Sequence, residues 1–239
     1  HMKKADIIVH PQVETCIEAF TNSGKYLSNH KTYDPNDPDA YFNIPGLSSA
    51  RVRHFLNNIC SQEGAVYLEV GVYAGSTFCA AIQNNDMVAA YANDNWSQPN
   101  LQPAREDIEL PIHDVTVDTF VDNLQHNVAT DSLDFDIQVL RGDSSQLGKK
   151  DFKHDVNIIF YDGDNTEHKM VEFFNQMLTF TDKVFTLVID DANVEQNVAI
   201  TKGWVEKQQL RVLYERELLN DQEDDKMWWN GLYVLVIAK

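Results

Sequence analysis

Two acidic segments each follow a run of apolar residues in the chain. FYDGDNTEH (residues 160–168) continues the run VNII, and DDAN (residues 190–193) continues the run FTLVI. Parallel strands that lie side by side end at the same edge of a sheet, so the two segments would lie close together there. Carboxylate oxygens are the ligands that Mg²⁺ prefers in proteins. The pattern therefore predicts a divalent metal site at the ends of two neighbouring strands.

Helix capping is the competing explanation for an acid at a strand end. Asp191, for example, could cap a helix that begins near Val194. Capping accounts for one aspartate more easily than for two acidic loops together, because neighbouring carboxylates repel one another unless a cation compensates their charge.

The segment YLEVGVYAGST (residues 67–77) has the features of a ligand-binding turn. Glu69 lies near the end of a predicted buried strand, Gly71 and Gly75 lie in the turn, and Ser76 opens a helix. Glycines let the backbone approach a ligand, and a helix N-terminus offers free N–H groups. The spacing is G-x-x-x-G, so the dinucleotide fingerprint G-x-G-x-x-G is absent. An acid before the turn favours a cationic ligand such as the sulfonium of S-adenosylmethionine, although a purely structural turn would also contain such glycines.

Two further strand ends carry candidate cofactor contacts. Asp94, followed by Asn95, comes where the second strand should end, and a carboxylate there can accept hydrogen bonds from ribose hydroxyls. A solvated loop aspartate is the alternative. Gly142, Asp143 and Ser144 follow the third strand and could bound an adenine pocket, with Asp143 accepting the exocyclic amine.

Four motifs in this order, LEVGVYAGST, VLRGDS, FYDGD and VIDDAN, resemble the macrocin O-methyltransferase family and its relatives. The resemblance covers roughly residues 66–193 and implies a magnesium-dependent enzyme that uses S-adenosylmethionine to methylate a hydroxyl of a small acceptor, such as a sugar or glycoside. Metal ligands are implied at Asp162, Asp190 and Asp191, and a general base at Asp164. Cofactor contacts are implied at Glu69, Asp94, Asp143 and Ser144, to which we add Gly71, Gly75, Ser76, Asn95, Gly142 and Asp162.

One position departs from the family pattern. Many relatives have a histidine directly after the second aspartate of D-G-D, and this chain has Asn165, which cannot take a proton at neutral pH. Catechol-type methyltransferases place a catalytic lysine near this point, and this chain has none there. The departure puts the general base in doubt, so we include Asn165 and the nearby His168 with Asp164 as candidate catalytic residues.

Alternating elements should position these residues. From about residue 65 onward, short apolar runs typical of doubly buried strands alternate with four amphipathic segments, which favours an α/β fold with a parallel sheet. The last two strand-like runs, LRVLYEREL and WWNGLYVLVIAK, are separated only by an acidic loop and should form an antiparallel hairpin. A mostly parallel seven-stranded sheet that ends in such a hairpin is the Rossmann-like class I methyltransferase fold.

We divide the chain into two parts. Residues 63–239 form the predicted methyltransferase domain. Residues 1–62 form a helical and irregular extension that could cover the site, with residues 1–2 as a tag remnant. Tyr26, Tyr33, Tyr41 and Phe42 could form an aromatic lid, although packing onto the domain is the simpler expectation. The long connection at residues 97–114 should shape the acceptor pocket.

Composition limits the partners. The chain has 239 residues and a net charge of −18, which disfavours nucleic acid and anionic membranes. Three scattered cysteines suggest small buried groups in a reducing compartment, and we expect a cytoplasmic protein with no membrane span. The extension offers a surface for a homo-oligomer. Two other functions stay open, a nicotinamide-dependent Rossmann oxidoreductase and a non-catalytic cofactor-binding module.

Overall fold

The computed structural model describes residues 9–30, 44, 46–97, 114–128, 133–220 and 227–239. The helices in these ranges are α1 Pro11–Ser23, α2 Ala50–Ile59, α3 Ser76–Ile82, α4 Val117–Asn127, α5 Glu167–Phe180 and α6 Glu195–Lys207. The strands are β1 Val66–Val70, β2 Ala89–Asp94, β3 Asp136–Arg141, β4 Val156–Tyr161, β5 Thr181–Asp190, β6 Arg211–Leu218 and β7 Leu232–Ala238. Short 3-10 turns at Ser144–Gln146 and Lys149–Asp151 follow β3.

The strands form one seven-stranded sheet in the order β3-β2-β1-β4-β5-β7-β6. Strands β1 to β5 pair in parallel. Strand β7 runs antiparallel to both of its neighbours, β5 and β6. The predicted fold is therefore confirmed, and the terminal hairpin lies at one edge with β7 on its inner side.

Helices cover both faces of the sheet, because alternate residues of each central strand point to opposite faces. One apolar cluster joins residues of α1 to α4 to one face of the strands, with Tyr67 of β1 among them. The other cluster joins α5 and α6 to the opposite face, with Leu68 of β1 among them. The stripe Met170, Phe173, Phe174 and Met177 is fully buried, as its helical spacing predicts. The three cysteines are free and buried, as predicted for small buried groups.

Two strand predictions need correction. Strand β3 was expected to be buried on both faces, but it is the edge strand, and each of its residues is exposed or half-buried. The last strand was expected to begin at the tryptophans, but residues 227–230 form a turn and β7 begins at Leu232. Gly231 explains the second difference, since its φ of +87° lies in the left-handed region and breaks the extended backbone.

The N-terminal extension packs against the turn that precedes β7. The Trp228 indole is buried, stacks on Phe20 of α1 at 5.8 Å and meets the Phe55 ring of α2 edge-on at 5.9 Å. Ser49 caps α2 by accepting a hydrogen bond from the Val52 N–H, and its hydroxyl donates to the Met227 carbonyl at 2.5 Å. These contacts join the extension to the C-terminal hairpin.

Several predicted features lie outside the described residues. They are the lid aromatics Tyr33, Tyr41 and Phe42, nearly all of the connection at residues 97–114, and the acidic loop at residues 221–226. Within the described ranges, no helix combines the length and apolar character that crossing a membrane requires.

Candidate metal and cofactor site

The two acidic segments meet where β4 and β5 end. Asp162 follows the last residue of β4, Asp190 is the last residue of β5, and Asp191 comes next. These strands are neighbours in the sheet, and one carboxylate oxygen from each of the three aspartates lies within 4.8 Å of the others. The structure thus brings together the three residues that the sequence motifs select as metal ligands.

The cluster carries more negative charge than its surroundings compensate. Asp190 is 7% exposed, and Asp162 and Asp191 are half-buried. Burial raises the pKa of Asp162 and of Asp190 well above the usual range, and the neighbouring carboxylates raise both further. No ion pair among the described residues involves any of the three. A cation bound among these oxygens would offset the repulsion between the carboxylates and favour their ionised forms.

The donor set fits a hard divalent cation. The three aspartates offer only carboxylate oxygens. Among the described residues, no histidine or cysteine belongs to the cluster. Oxygen donors of this kind suit Mg²⁺, Mn²⁺ or Ca²⁺ better than zinc, which favours nitrogen and sulfur.

Asp191 has a backbone that differs from a regular strand. Its φ is +55°, in the left-handed region that few non-glycine residues adopt. Asn230 donates a hydrogen bond to its Oδ1 at 2.7 Å, and Asn165 donates to its Oδ2 at 3.1 Å. Asn165 was predicted as a catalytic residue, and the structure gives it a contact with a metal-ligand candidate. Asn230 was missed, although its Asn-Gly dipeptide is a turn signal.

The glycine turn after β1 packs directly on the loop that carries Asp162. Gly71 has φ +86°, and a Cβ at this position would overlap the carbonyl oxygen of Asp162. Gly75 has φ +94°, and its Cβ would lie 2.7 Å from the Phe120 ring. Glycine is thus required at both positions, because neighbouring atoms leave no room for a Cβ and because the backbone is left-handed. Ser76 is buried, and Gly46 of the extension lies against its side chain.

Glu69 is buried beneath the glycine turn rather than exposed beside it. The sequence suggested a direct contact with a cationic ligand, but the side chain is fully buried between β1 and α3. It accepts hydrogen bonds from the Tyr67 hydroxyl at 2.6 Å and the Thr77 hydroxyl at 2.5 Å. Burial is the main cause that raises its pKa to about 8, so the carboxyl is largely protonated at neutral pH. Glu69 therefore holds the start of α3 through Thr77, and its predicted contact with a cationic ligand stays a prediction.

Asp94 joins the ends of the first two strands. Its Oδ2 accepts from the Tyr73 N–H and its Oδ1 from the Trp96 N–H, both at 2.8 Å. Tyr73 and Trp96 have φ values of +53° and +48°, so the carboxylate holds two left-handed residues beside the site. Each oxygen can accept a second bond, so the predicted ribose contact stays a prediction. Asn95 is exposed and accepts from the Ser97 N–H.

Asp143 has partners that compete with its predicted role. Its Oδ2 accepts from the Lys169 ammonium at 2.8 Å, and its Oδ1 accepts from the Ser145 N–H at 2.9 Å. The lysine and then the Ser145 N–H lower the pKa of this exposed carboxyl. An adenine amine would have to share the carboxylate with Lys169. Gly142, with φ +140°, is bound to the end of β2 through its N–H and the Asp94 carbonyl, and Ser144 begins the 3-10 turn.

The two remaining catalytic candidates lie outside the aspartate cluster. Asp164 is exposed, and its Oδ1 accepts from the Thr166 N–H at 2.9 Å. That hydrogen bond is the main cause that lowers its pKa, which makes it a weaker base than an ordinary aspartate. His168 is exposed in the first turn of α5. Neither side chain contributes to the cluster.

Solved structures share this fold. A putative RNA methyltransferase from Pyrococcus horikoshii superposes with a TM-score of 0.50 at 12% sequence identity, covering 95% of this chain and 98% of that chain. A precorrin-6y C5,15-methyltransferase from Geobacter metallireducens gives a TM-score of 0.52 at 15% identity, covering 80% of this chain and 87% of that chain. At such identities the likeness shows a Rossmann-like methyltransferase fold. No protein-family model and no curated protein sequence matches the chain.

Proposed function

We propose that this protein is an S-adenosylmethionine-dependent, divalent-metal-dependent O-methyltransferase that acts on a hydroxyl of a small acceptor. The observation that carries the proposal is the cluster of Asp162, Asp190 and Asp191, which lies in contact with the glycine turn of a methyltransferase fold. The fold makes S-adenosylmethionine the expected cofactor. The resemblance to the macrocin O-methyltransferase family rests on four sequence motifs and supplies the hydroxyl acceptor.

The cofactor would lie along the edge formed by the ends of β1 and β2. The left-handed backbone at Gly71 and Gly75 shapes the turn, and Asp94 holds the turn to the next strand end. Bound S-adenosylmethionine would supply an electrophilic methyl group. Transfer forms the acceptor's O–CH₃ bond as the S–CH₃ bond breaks, releases S-adenosylhomocysteine, and sends the hydroxyl proton to a base.

The three aspartates would hold the cation, whose chemical contribution is to lower the pKa of a coordinated hydroxyl. Asp164 is the proposed base. It lies two residues after the metal-ligand candidate Asp162. Its lowered pKa makes it weakly basic, so it can accept the proton only from a hydroxyl that has already been acidified. The proposal therefore assigns more of the activation of the acceptor hydroxyl to the metal-binding aspartates than to the base.

The acceptor is proposed to be a small molecule. A net charge of −18 opposes the approach of a nucleic acid backbone, whose binding depends on neutralising phosphates. The antiparallel β7 also counts against the nicotinamide-dependent alternative, because a dinucleotide-binding sheet of the Rossmann type continues with parallel strands. We propose a cytoplasmic location on the evidence of cysteine usage.

Calorimetric titration tests the proposal. The full chain should bind S-adenosylmethionine and S-adenosylhomocysteine but not NAD, and a screen of hydroxylated compounds with Mg²⁺ should identify an acceptor through S-adenosylhomocysteine release. EDTA should abolish that release, as should Asp190→Asn. Asp155→Asn is the matched control, because Asp155 pairs with Lys149 on the surface and both side chains are about half exposed. Binding of NAD without the methionine nucleosides would overturn the proposal, and so would full turnover in EDTA.

A further inference from the structure

Asp191 is held by side-chain amides from two other segments of the chain. Asn230 precedes β7 and Asn165 follows β4, and each amide donates to a different oxygen of the Asp191 carboxylate. We propose that Asn165 and Asn230 are positioning residues, an amide clamp that holds Asp191 in its metal-binding orientation. This inference rests on the proposed function, since it requires the three aspartates to bind a cation.

The backbone at Asp191 explains why its side chain needs to be positioned. Successive side chains of a strand point to opposite faces, so a regular continuation of β5 would direct Asp190 and Asp191 away from one another. The left-handed φ of +55° at Asp191 ends the strand and brings both carboxylates into one cluster. The main chain of this turn is fixed by the Asp191 carbonyl, which accepts from the Val194 N–H at 3.0 Å and from the Asn197 amide at 3.2 Å. The carboxylate itself is fixed by the clamp.

Neutral donors suit this task better than cationic ones. Asp143 shows the alternative, since the Lys169 ammonium binds its carboxylate and compensates its charge. An amide N–H orients a carboxylate without adding positive charge, so the full negative charge of Asp191 stays available to a metal ion. Each carboxylate oxygen can accept more than one interaction, so a cation can bind beside the amides. Outer contacts of this kind often set metal affinity.

The turn before β7 places Asn230 independently of its side chain. The Asn193 N–H donates to the Asn230 carbonyl at 2.9 Å, and the Ala192 N–H donates to the Gly231 carbonyl at 3.1 Å. A Cβ at Gly231 would lie 2.6 Å from the Asn193 side-chain oxygen, so the turn and the Asp191 loop are in close contact. Because these are main-chain bonds, removing the Asn230 amide should leave the turn folded.

Asn165 gains a role that its chemistry permits. An amide cannot accept a proton at neutral pH, so Asn165 cannot act as the histidine that many members of the resembled family have at this position. It can still donate a hydrogen bond, and its Nδ2 does so to Asp191. In this chain Asn165 therefore serves to orient the metal-ligand candidate Asp191.

Manganese binding tests the clamp without any need for the acceptor. Mn²⁺ would be titrated into the full chain, with free Mn²⁺ measured by electron paramagnetic resonance, for the wild type, Asn165→Ala and Asn230→Ala. Each variant should weaken Mn²⁺ binding by about 10- to 100-fold, the usual effect of removing a contact behind a metal ligand. Asn165→Leu, which keeps a branched side chain without its donor, should show the same loss if the alanine variant proves poorly folded by circular dichroism.

Asn220→Ala is the control within the same region. The Asn220 side-chain oxygen accepts from the Trp228 N–H at 2.7 Å, so this residue supports the turn without contacting Asp191. Its variant should bind Mn²⁺ with wild-type affinity. Wild-type Mn²⁺ affinity in both clamp variants would overturn the inference but not the metal site. A loss of Mn²⁺ affinity in Asn220→Ala as large as in the clamp variants would also overturn the inference. Absence of Mn²⁺ binding by the wild type would instead overturn the metal part of the proposed function, and the clamp with it.

Discussion

A side chain at Gly71 would overlap the main-chain carbonyl oxygen of Asp162, so the turn after β1 and the loop after β4 lie in direct contact. The Asp162 N–H also donates to the Val70 carbonyl at 2.8 Å, which fixes the loop against the end of β1. The proposed cofactor turn and the proposed metal loop are therefore one packed unit. A change that separates them should affect both functions.

Gly71→Ala tests this contact. The alanine methyl group would collide with backbone atoms and would require a left-handed conformation, so we expect a loss of about 2–4 kcal/mol in the free energy of unfolding. Affinities for S-adenosylhomocysteine and for Mn²⁺ should fall together. Gly148→Ala is the control, because its Cβ would meet no atom within 4 Å and its φ is −154°. Urea denaturation measures the free energy of unfolding of both variants. Equal stability of Gly71→Ala and Gly148→Ala would contradict the proposed packing.

Glu69→Gln tests the protonated state of the buried carboxyl. The pKa of Glu69 is raised from 4.5 to about 8, so the folded protein keeps a proton that the unfolded chain releases. Stability from this group is therefore complete below about pH 4.5 and is lost as the pH rises towards 8 and beyond. Each unit of pKa shift corresponds to about 1.4 kcal/mol.

Glutamine resembles the protonated acid and cannot ionise. In EDTA, the unfolding free energy of the wild type should therefore fall more steeply between pH 5 and pH 9 than that of Glu69→Gln. Parallel curves for the two proteins would show that Glu69 is ionised in the folded state.

His54 should make the fold sensitive to acid. Burial, and secondarily the nearby His30, lower the pKa of His54 from 6.5 to about 4. The unfolded chain therefore binds a proton that the folded protein excludes, and stability is complete above pH 6.5 and falls as the pH drops towards 4. We expect His54→Gln to lessen this fall, whereas the same change at the exposed His126 should leave it intact. Chemical denaturation at pH 4.5 and pH 7 measures the effect, and an unchanged fall in His54→Gln would refute it.

Asp164→Asn tests the proposed base. Once an acceptor is identified, turnover should fall by about 100-fold or more, the usual contribution of a positioned base. Affinity for S-adenosylhomocysteine should be unchanged, because Asp164 is exposed and lies outside the aspartate cluster. Turnover equal to the wild type would remove Asp164 from the mechanism.

Much of this arrangement follows from local patterns in the sequence. Alternating apolar runs and amphipathic segments predict the parallel sheet, and the two final strand-like runs predict the hairpin. The meeting of the two acidic loops is predicted because each follows a strand, and neighbouring strands bring such ends to one edge. The choice of residues 162, 190 and 191 as the metal ligands came from the family resemblance.

Contacts between segments that are distant in sequence could not be predicted in the same way. Asn230 reaches Asp191 across 39 positions and was assigned to a strand, because the apolar run around it concealed an Asn-Gly turn signal. Lys169 lies 26 positions from Asp143, and the ion pair forms only because α5 begins beside the turn after β3. The burial of Glu69 depends on α3 packing over β1, which the motif alone does not show.

Magnesium titration of metal-free protein, followed by calorimetry and by thermal unfolding, tests the central claim most directly. The wild type should bind Mg²⁺ with a rise in melting temperature, since the cation relieves the repulsion among Asp162, Asp190 and Asp191. Asp190→Asn should melt higher than the wild type without metal and should lose the Mg²⁺-dependent rise, whereas the surface control Asp155→Asn should behave as the wild type does. A wild type that releases no heat with Mg²⁺ and melts at the same temperature as in EDTA would contradict the account.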